Sequence, residues 1–432
     1  MDKLKMHSPD LTQQNIDKLL ELFPNCKTEK QDDKGNLTIA VDFDLLKQEL
    51  SKNIVEGPKE RYQLNWPGKK EALLTANAPI AKTLRPCREE SVDFDTTENL
   101  FIEGDNLDAL KLLQETYLEK VKMIYIDPPY NRGEDLVYKD DFSAGSEEYL
   151  ITSNQVDEYG NRLLINTESN GRFHSDWLTM MYMRLKLSRN LLKDDGVIFI
   201  SIGDDEIHNL LAICNEIFGE RNHLGTILWK KKTNGNNVGH IPSVHDFIVC
   251  YGKVASDSAL LGFPISEEYI ESTYKNPDCD PKGPWTTSDL SANHEGPLFE
   301  ITNPNTGKKY LPAKGRYWVF NEMEVKKRIE NGRIIFGKTG KSGPVQKKYL
   351  EERESARFKP ESWWDNHGLN SDGTTELAKI FEPKIFDHPK PTSLMKNIIN
   401  ISTTSNDLIL DFFAGSGTTC HGVFLQNAID SE

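Results

Sequence analysis

Val121 to Tyr130 reads VKMIYIDPPY, and the arrangement of the rest of the chain follows from it. Val121, Met123, Ile124, Tyr125 and Ile126 make an apolar, β-branched run without polar alternation, the pattern of a strand buried on both faces inside a parallel sheet. Asp127 ends it, because Pro128 and Pro129 can neither donate to a ladder nor continue a strand. A carboxylate, two rigid carbonyls and the Tyr130 ring are thereby gathered at the carboxyl end of a strand, where ligands bind in open α/β sheets.

Working outward, Leu100 to Glu103 reads as a short strand, Gly104-Asp105-Asn106 as a turn, and Leu107, Leu110, Leu113 and Tyr117 as the stripe of a helix leading into Val121. That βαβ unit puts Asp105 and Asp127 on one edge of the sheet, with Asp105 suited to cap the helix. Downstream, Trp177 to Leu192 is predicted helical, Gly196 to Ile202 a second buried strand, and Glu206 to Phe218 a further helix. Leu224 to Lys230 and Phe247 to Tyr251 read as an antiparallel pair at a sheet edge. Near the end, Leu408 to Leu410 is a strand that runs into Asp411-Phe-Phe-Ala-Gly415-Ser-Gly417, a glycine turn that lets backbone approach a ligand closely. Its spacing matches neither a dinucleotide fingerprint nor a phosphate loop, so a nucleoside with an amino-acid tail suits it better than a phosphate. The repetition is α/β and doubly wound.

Four regions follow: residues 1–60, mainly helical; 61–251, with Tyr62 to Ser91 loop-like; 252–358, an inserted domain of short strands and Pro/Gly turns; and 359–432, which carries the glycine turn. The acidic stretch from Asn131 to Asn170 reads as a long loop or lid. Six scattered cysteines form no CxxC pair and no His/Cys cluster, which argues for reduced thiols in a cytoplasmic protein without a metal site or a disulfide framework. Met1 to Asp10 is polar and no apolar run is long enough to span a bilayer, so neither a signal peptide nor a membrane is expected.

The formal net charge is −15, yet charge is uneven along the chain. Asp93 to Gly160 holds 17 acidic and 5 basic residues, whereas Ile301 to Lys348 holds 12 basic and 3 acidic ones. The second segment interleaves Tyr310, Tyr317, Trp318 and Phe320 with its cations and is a candidate DNA-facing module. Lys308, Lys309, Lys314, Arg316, Lys326, Lys327 and Arg328 are its candidate phosphate contacts, although any single lysine is more often plain solvated surface.

The Asp-Pro-Pro-Tyr geometry suits one chemical problem. An exocyclic amine of a base is a poor nucleophile, because its lone pair is delocalised into the ring. A carboxylate accepting one N–H and the Pro128 carbonyl accepting the other would favour a tetrahedral nitrogen and the charge developing on it. Tyr130 offers a stacking face for a base drawn out of its duplex.

IDPPY together with DFFAGSG resembles the paired signature of S-adenosylmethionine-dependent amino-methyltransferases of DNA, and the motif order resembles their β group, whose Rossmann-like sheet is circularly permuted. RYQLNWPGKKEAL, TENLFIEGDNLDALKLL, IYIDPPYN and FDHPKPTSL more closely resemble the modification (Mod) subunit of type III restriction-modification systems, from about Arg61 onward. The resemblance implies that Asp127, Pro128, Pro129 and Tyr130 are the catalytic motif and that Asp411, Phe412, Ala414, Gly415 and Gly417 line S-adenosyl-L-methionine. It places Asp105 near the cofactor's adenine, Lys390 and Pro391 near its methionine end, and target recognition in the inserted domain. It implies N6-adenine methylation of double-stranded DNA without a metal, with a second Mod subunit and a Res helicase-endonuclease as partners. Relatives carry a further strand beyond the last helix, so a fragment that binds cofactor weakly is the expectation for a sequence stopping at Glu432. Two competing readings are methyl transfer to another amine, such as cytosine N4, and a catalytically silent subunit for DNA recognition or assembly.

Overall fold

The computed structural model describes residues 11–23, 26–31, 37–43, 46, 64–132, 136–138, 163–165, 173–235, 240–337, 342–353 and 357–430. The chain divides into two compact units, one formed by residues up to Leu261 together with those from Pro360, the other by Gly262–Lys359.

The first unit is built on a six-stranded sheet. Its elements in chain order are α1 (Asn106–Tyr117), β1 (Val121–Ile126), α2 (Phe173–Leu191), β2 (Leu192–Ile202), α3 (Ile207–Phe218), β3 (His223–Lys230), β4 (His245–Gly252), β5 (Trp363–Trp364), α4 (Asn370–Ile380), α5 (Thr392–Ser402), β6 (Leu408–Leu410) and α6 (Thr418–Asp430). The strand order is β5-β3-β4-β2-β1-β6. β6, β1 and β2 run parallel, β4 is antiparallel to both of its neighbours, and β5 lies parallel to β3. The last strand in sequence therefore pairs with the first, as a circular permutation requires. The sheet is the α/β arrangement anticipated above, with β6, β1 and β2 parallel and adjacent.

Every residue of β1 is buried. Its one charge, Lys122, donates to the Asp195 carboxylate at 2.9 Å, and its Tyr125 hydroxyl meets the Ser201 hydroxyl at 2.8 Å, so no polar group in the strand is buried unpaired. Burying each large apolar side chain contributes about 1.5–3 kcal/mol, which makes β1 a principal anchor of the sheet. Around it α1 packs on α2 and α2 on α3, while α5 and α6 pack together and α5 touches β1. Leu107, Leu110, Leu113, Trp177, Met181, Leu185, Leu210 and Ile213 join one apolar core.

Several expectations need correction. Leu100 to Glu103 is not a strand: β6 is the sheet edge among the described residues, so the segment has no partner, and Leu100 and Phe101 are exposed. The N-terminal region, expected to be mainly helical, holds a helix and a pair of strands among its described residues. After a helix at Leu11–Leu22, strands Lys27–Gln31 and Leu37–Val41 pair antiparallel, and the remainder of residues 1–60 lies largely outside the described residues. A helix, Lys69–Asn77, replaces part of the loop expected over Tyr62 to Ser91, because Ala72 and Ala76 give it a small buried face. β3 and β4 do pair antiparallel, but β5 covers the edge beyond them. The stretch from Asn131 to Asn170 lies mostly outside the described residues; two strands in it, Leu136–Tyr138 and Leu163–Ile165, pair antiparallel.

The second unit begins at Gly262 rather than at residue 252, since β4 extends to Gly252 and the Leu261 amide donates to the Ile401 carbonyl. It holds a three-stranded antiparallel sheet of Trp285–Asp289, Val345–Tyr349 and Ile334–Ile335, and a helix at Glu322–Glu330. Leu290, Ile301, Trp318, Val325 and Ile334 form its small core.

Candidate active site at the carboxyl ends of the central strands

Residues 127–131 leave β1 as a tight loop held from several sides. Asp127 receives Lys390 Nζ on Oδ2 at 2.5 Å, and its Oδ1 is buried without a hydrogen-bond partner among the described residues. The Trp177 indole N–H donates to the Pro129 carbonyl at 2.7 Å. Trp177 is wholly buried in α2, so this bond fixes the second proline from inside the core. Among the described residues the Pro128 carbonyl takes no hydrogen bond. Asn131 completes the loop with φ 61°, a left-handed conformation that asparagine tolerates better than most residues, and donates to Glu206 at 2.5 Å. Glu206 is fully buried, and also binds His174 Nδ1 at 2.7 Å and Asn209 Nδ2 at 2.7 Å. Its three partners offset the cost of burying a carboxylate.

Tyr130 points its hydroxyl at Asp246 Oδ2, 3.4 Å away, and Asp246 is in turn held by Lys231 at 2.5 Å. Burial, then the carboxylates of Asp127 and Asp246, push the Tyr130 phenol well above its usual range, so it stays neutral and donates. Arg132 and Lys390 lie over its ring at 5.1 and 5.3 Å from the centroid. Gly203, just after β2, makes room for this cluster: a Cβ there would sit 2.8 Å from the Arg132 guanidinium and 3.0 Å from the Tyr130 ring.

The glycine turn follows β6, whose Leu410 is in register with Ile124 of β1, so Asp411 and Asp127 leave neighbouring parallel strands at the same sheet end. Asp411 accepts the Phe413 amide at 2.9 Å and the Thr419 hydroxyl at 2.6 Å. Burial raises the Asp411 carboxyl to about 6, against the pull of those two bonds, and Asp127 adds to the rise. Gly415 and Gly417 are left-handed at φ 52° and 72°, and a Cβ on Gly415 would come 3.2 Å from Phe386. Phe412 is buried, and its carbonyl accepts the Asn106 amide at 2.7 Å. Asn106 is gripped by the wholly buried Arg184 at 2.6 Å, which also stands 3.8 Å from Asp105. Asp105 caps α1 by accepting the Asp108 amide, so cap and glycine turn share one network. A buried carboxylate at Asp411 beside a turn whose two left-handed glycines let backbone come close suits an organic cation with a flat, close-lying body.

Of the residues singled out from sequence, Asp127, Pro128, Pro129, Tyr130, Asp105, Asp411, Phe412, Ala414, Gly415 and Gly417 lie on these two loops or the adjoining cap. Lys390 and Pro391 lie just before α5, with Lys390 on Asp127 itself. Sequence reasoning missed Trp177, Asn131, Gly203, Glu206, Asp246 and Arg184. Asp246 and Arg184 carried a usable signal, a charge inside an apolar strand and another inside an apolar helix face.

The basic candidates all lie in the second unit, and several are already paired there. Arg316 binds Asp289, Ser291 and Asn293; Lys309 pairs with Glu300, Lys326 with Glu322 and Arg328 with Glu324. Lys308 lies 4.9 Å over the Tyr310 ring. Lys314 and Lys327 are exposed and have no ion pair among the described residues.

The DNA methylase family (N6_N4_Mtase) matches residues 121–428. The chain is 35% identical over 413 residues to the type III restriction-modification enzyme StyLTI Mod subunit of Salmonella typhimurium, covering 93% of this chain and 62% of that protein. It is 35% identical over 411 residues to the EcoPI Mod subunit of Escherichia phage P1, covering 87% and 63%. Against the type II methyltransferase M.KpnI of Klebsiella pneumoniae it is 30% identical over 364 residues, covering 78% and 79%. It thus spans less than two thirds of the length of the type III relatives. On the extent of the match and on the two strand-end motifs, the chain belongs to the DNA methylase family.

Proposed function

We propose that this chain transfers a methyl group from S-adenosyl-L-methionine to the N6 amine of adenine in double-stranded DNA, as the modification and recognition subunit of a type III restriction-modification system. The observation that carries the reading is the buried acceptor without a partner among the described residues at the end of β1, Asp127 Oδ1, on the strand next to the glycine turn.

When bound, the cofactor supplies an electrophilic methyl group on a sulfonium. Asp127 and the Pro128 carbonyl accept the two amine N–H bonds, which draws the nitrogen lone pair out of conjugation and aims it at the methyl carbon. Asp127 and the Pro128 carbonyl would hold the amine while it takes up the methyl group that the cofactor would supply, and Asp127 would pass the surplus amine proton to solvent. Acceptors fixed in advance need no reorganisation as charge develops, and removing one such group typically costs about 10²–10³ in rate. Tyr130 provides the stacking surface for the flipped base, and the few kcal/mol of unstacking are offset by that contact and by bonds to the base edge. Asp411, Phe412, Ala414, Gly415 and Gly417 hold the cofactor, with Asp105 supporting the turn through Arg184 and Asn106.

The unit Gly262–Lys359 is proposed as the target-recognition domain, with Lys308, Lys314 and Lys327 the cations most available to phosphate. The likeness to Mod subunits supports a second copy of this chain and a Res subunit as partners. The test is incubation with DNA and methyl-labelled S-adenosylmethionine followed by mass spectrometry of the nucleosides. N6-methyladenine that disappears in Asp127→Ala is the expected result; N4-methylcytosine would move the target base, and no label would leave recognition without catalysis.

A further inference from the structure

We propose that Lys390 is a positioning residue for Asp127. Its ammonium claims one carboxylate oxygen and so turns the other toward the amine. The inference deepens the methyltransferase reading and rests on it.

The contact is built from both sides. Lys390 Nζ meets Asp127 Oδ2 at 2.5 Å across 263 residues of sequence, and the lysine side chain is only 9% exposed. Its backbone is clamped: on α4, a Cβ at Gly373 would lie 2.4 Å from the Pro389 carbonyl oxygen and 2.8 Å from that of Lys390. Beside it, the Thr392 amide donates to Glu376 at 2.9 Å, and Pro391 packs so near Gly368 that a Cβ there would be 3.0 Å away. A lysine rooted this firmly presents its ammonium at a defined place instead of searching for solvent.

A carboxylate at a strand end turns about its terminal bond, and without a partner it samples orientations that do not serve the amine. Fixing Oδ2 leaves Oδ1 as the buried acceptor without a partner, which is the arrangement an incoming N–H requires. The same ammonium lies 5.3 Å over the Tyr130 ring, so one cation ties together the first and last residues of the Asp-Pro-Pro-Tyr motif. Charge-assisted bonds hold such geometry better than neutral ones.

Two measurements test this. The first needs no activity: brief amine labelling of the intact chain, with mass spectrometry of the Lys390 peptide, in wild type, Asp127→Asn and Asp127→Ala. Lys390 should label at least about fivefold faster when the carboxylate is gone, as expected for losing about 1 kcal/mol of pairing. Equal rates in all three overturn the pairing. The second is single-turnover transfer by Lys390→Met and Lys390→Arg, each in wild type and in Asp127→Asn. We expect Lys390→Met to lower the transfer rate by about 10² with little change in the KM for cofactor, Lys390→Arg to recover part of it, and no further loss in Asp127→Asn. A raised cofactor KM at unchanged rate would make Lys390 a cofactor contact, and additive losses would make it a general support; either result overturns the proposal. Asp127-dependent labelling in a chain that transfers no methyl group would sink the methyltransferase reading and the positioning role together, while keeping the ion pair.

Discussion

The two strand ends that meet in the site are secured in opposite ways. The end of β1 lies inside the sheet and is held by Lys390, Trp177, Asp246 and Glu206, which come from four different parts of the first unit. The end of β6 lies on the edge strand of the sheet among the described residues and is held mainly by its own Asp411 turn and by Asn106. The contrast matches two tasks. On the proposed function, a preorganised acceptor loses its value if it moves, whereas a turn that holds a cofactor must admit and release it at each cycle.

The contrast can be broken most severely at Trp177. In Trp177→Phe a smaller aromatic ring remains, the Pro129 carbonyl loses its donor, and the acceptors of the Pro-Pro segment drift. Single-turnover transfer is expected to fall by roughly 10²-fold with cofactor affinity nearly unchanged. A loss confined to cofactor binding would mean that the β1 end is not the rigid one.

A smaller effect probes the β6 end by pH. The Asp411 carboxyl sits at about 6 because ionising it there is unfavourable. For a carboxyl raised above its unfolded value, the contribution to folding is complete below about pH 4 and is lost as pH rises through 6. A bound cation restores the ionised form, so cofactor binding should release a proton in this window and strengthen by about tenfold from pH 5 to pH 7. Calorimetry in buffers of different ionisation enthalpy reads the proton directly, and Asp411→Asn should abolish it.

The smallest expected effect is that of Gly415→Ala. A left-handed alanine costs about 1 kcal/mol, and its Cβ would press on Phe386, so cofactor affinity should drop about fivefold while the transfer step keeps its rate. If the transfer rate fell instead, the two ends would be coupled more tightly than their bonding suggests.

The buried strands and both motifs were legible in sequence because they depend on local pattern: a continuous apolar run stopped by two prolines, and a strand stopped by glycines. The missed parts depend on partners distant in sequence. β5 is two tryptophans that become a strand only beside β3, and Leu100 to Glu103 had strand-like residues but no neighbour to pair with. The N-terminal strand Lys27–Gln31 carries no apolar alternation that announces it, and its pairing with Leu37–Val41 is a contact between segments. In the site, Asp127 and Tyr130 were evident, but Trp177 and Glu206 reach them only through folding. For the basic run, charge density was readable and its internal pairing was not; Arg316, Lys309, Lys326 and Arg328 spend their charge on neighbouring carboxylates.

The root of the second unit has a consequence for inheritance. Phe263–Pro264 pairs antiparallel with Arg357–Phe358, which brings the two ends of the inserted segment to within roughly 5 Å of each other. Gly262 admits this closure, since a Cβ there would lie 2.2 Å from the Phe358 carbonyl oxygen. A segment whose entrance and exit are clasped together can be exchanged for another by recombination at two nearby points, leaving the strands that carry Asp127 and Asp411 untouched. If the unit reads DNA as proposed, variation in the sequence read can accumulate independently of the chemistry performed.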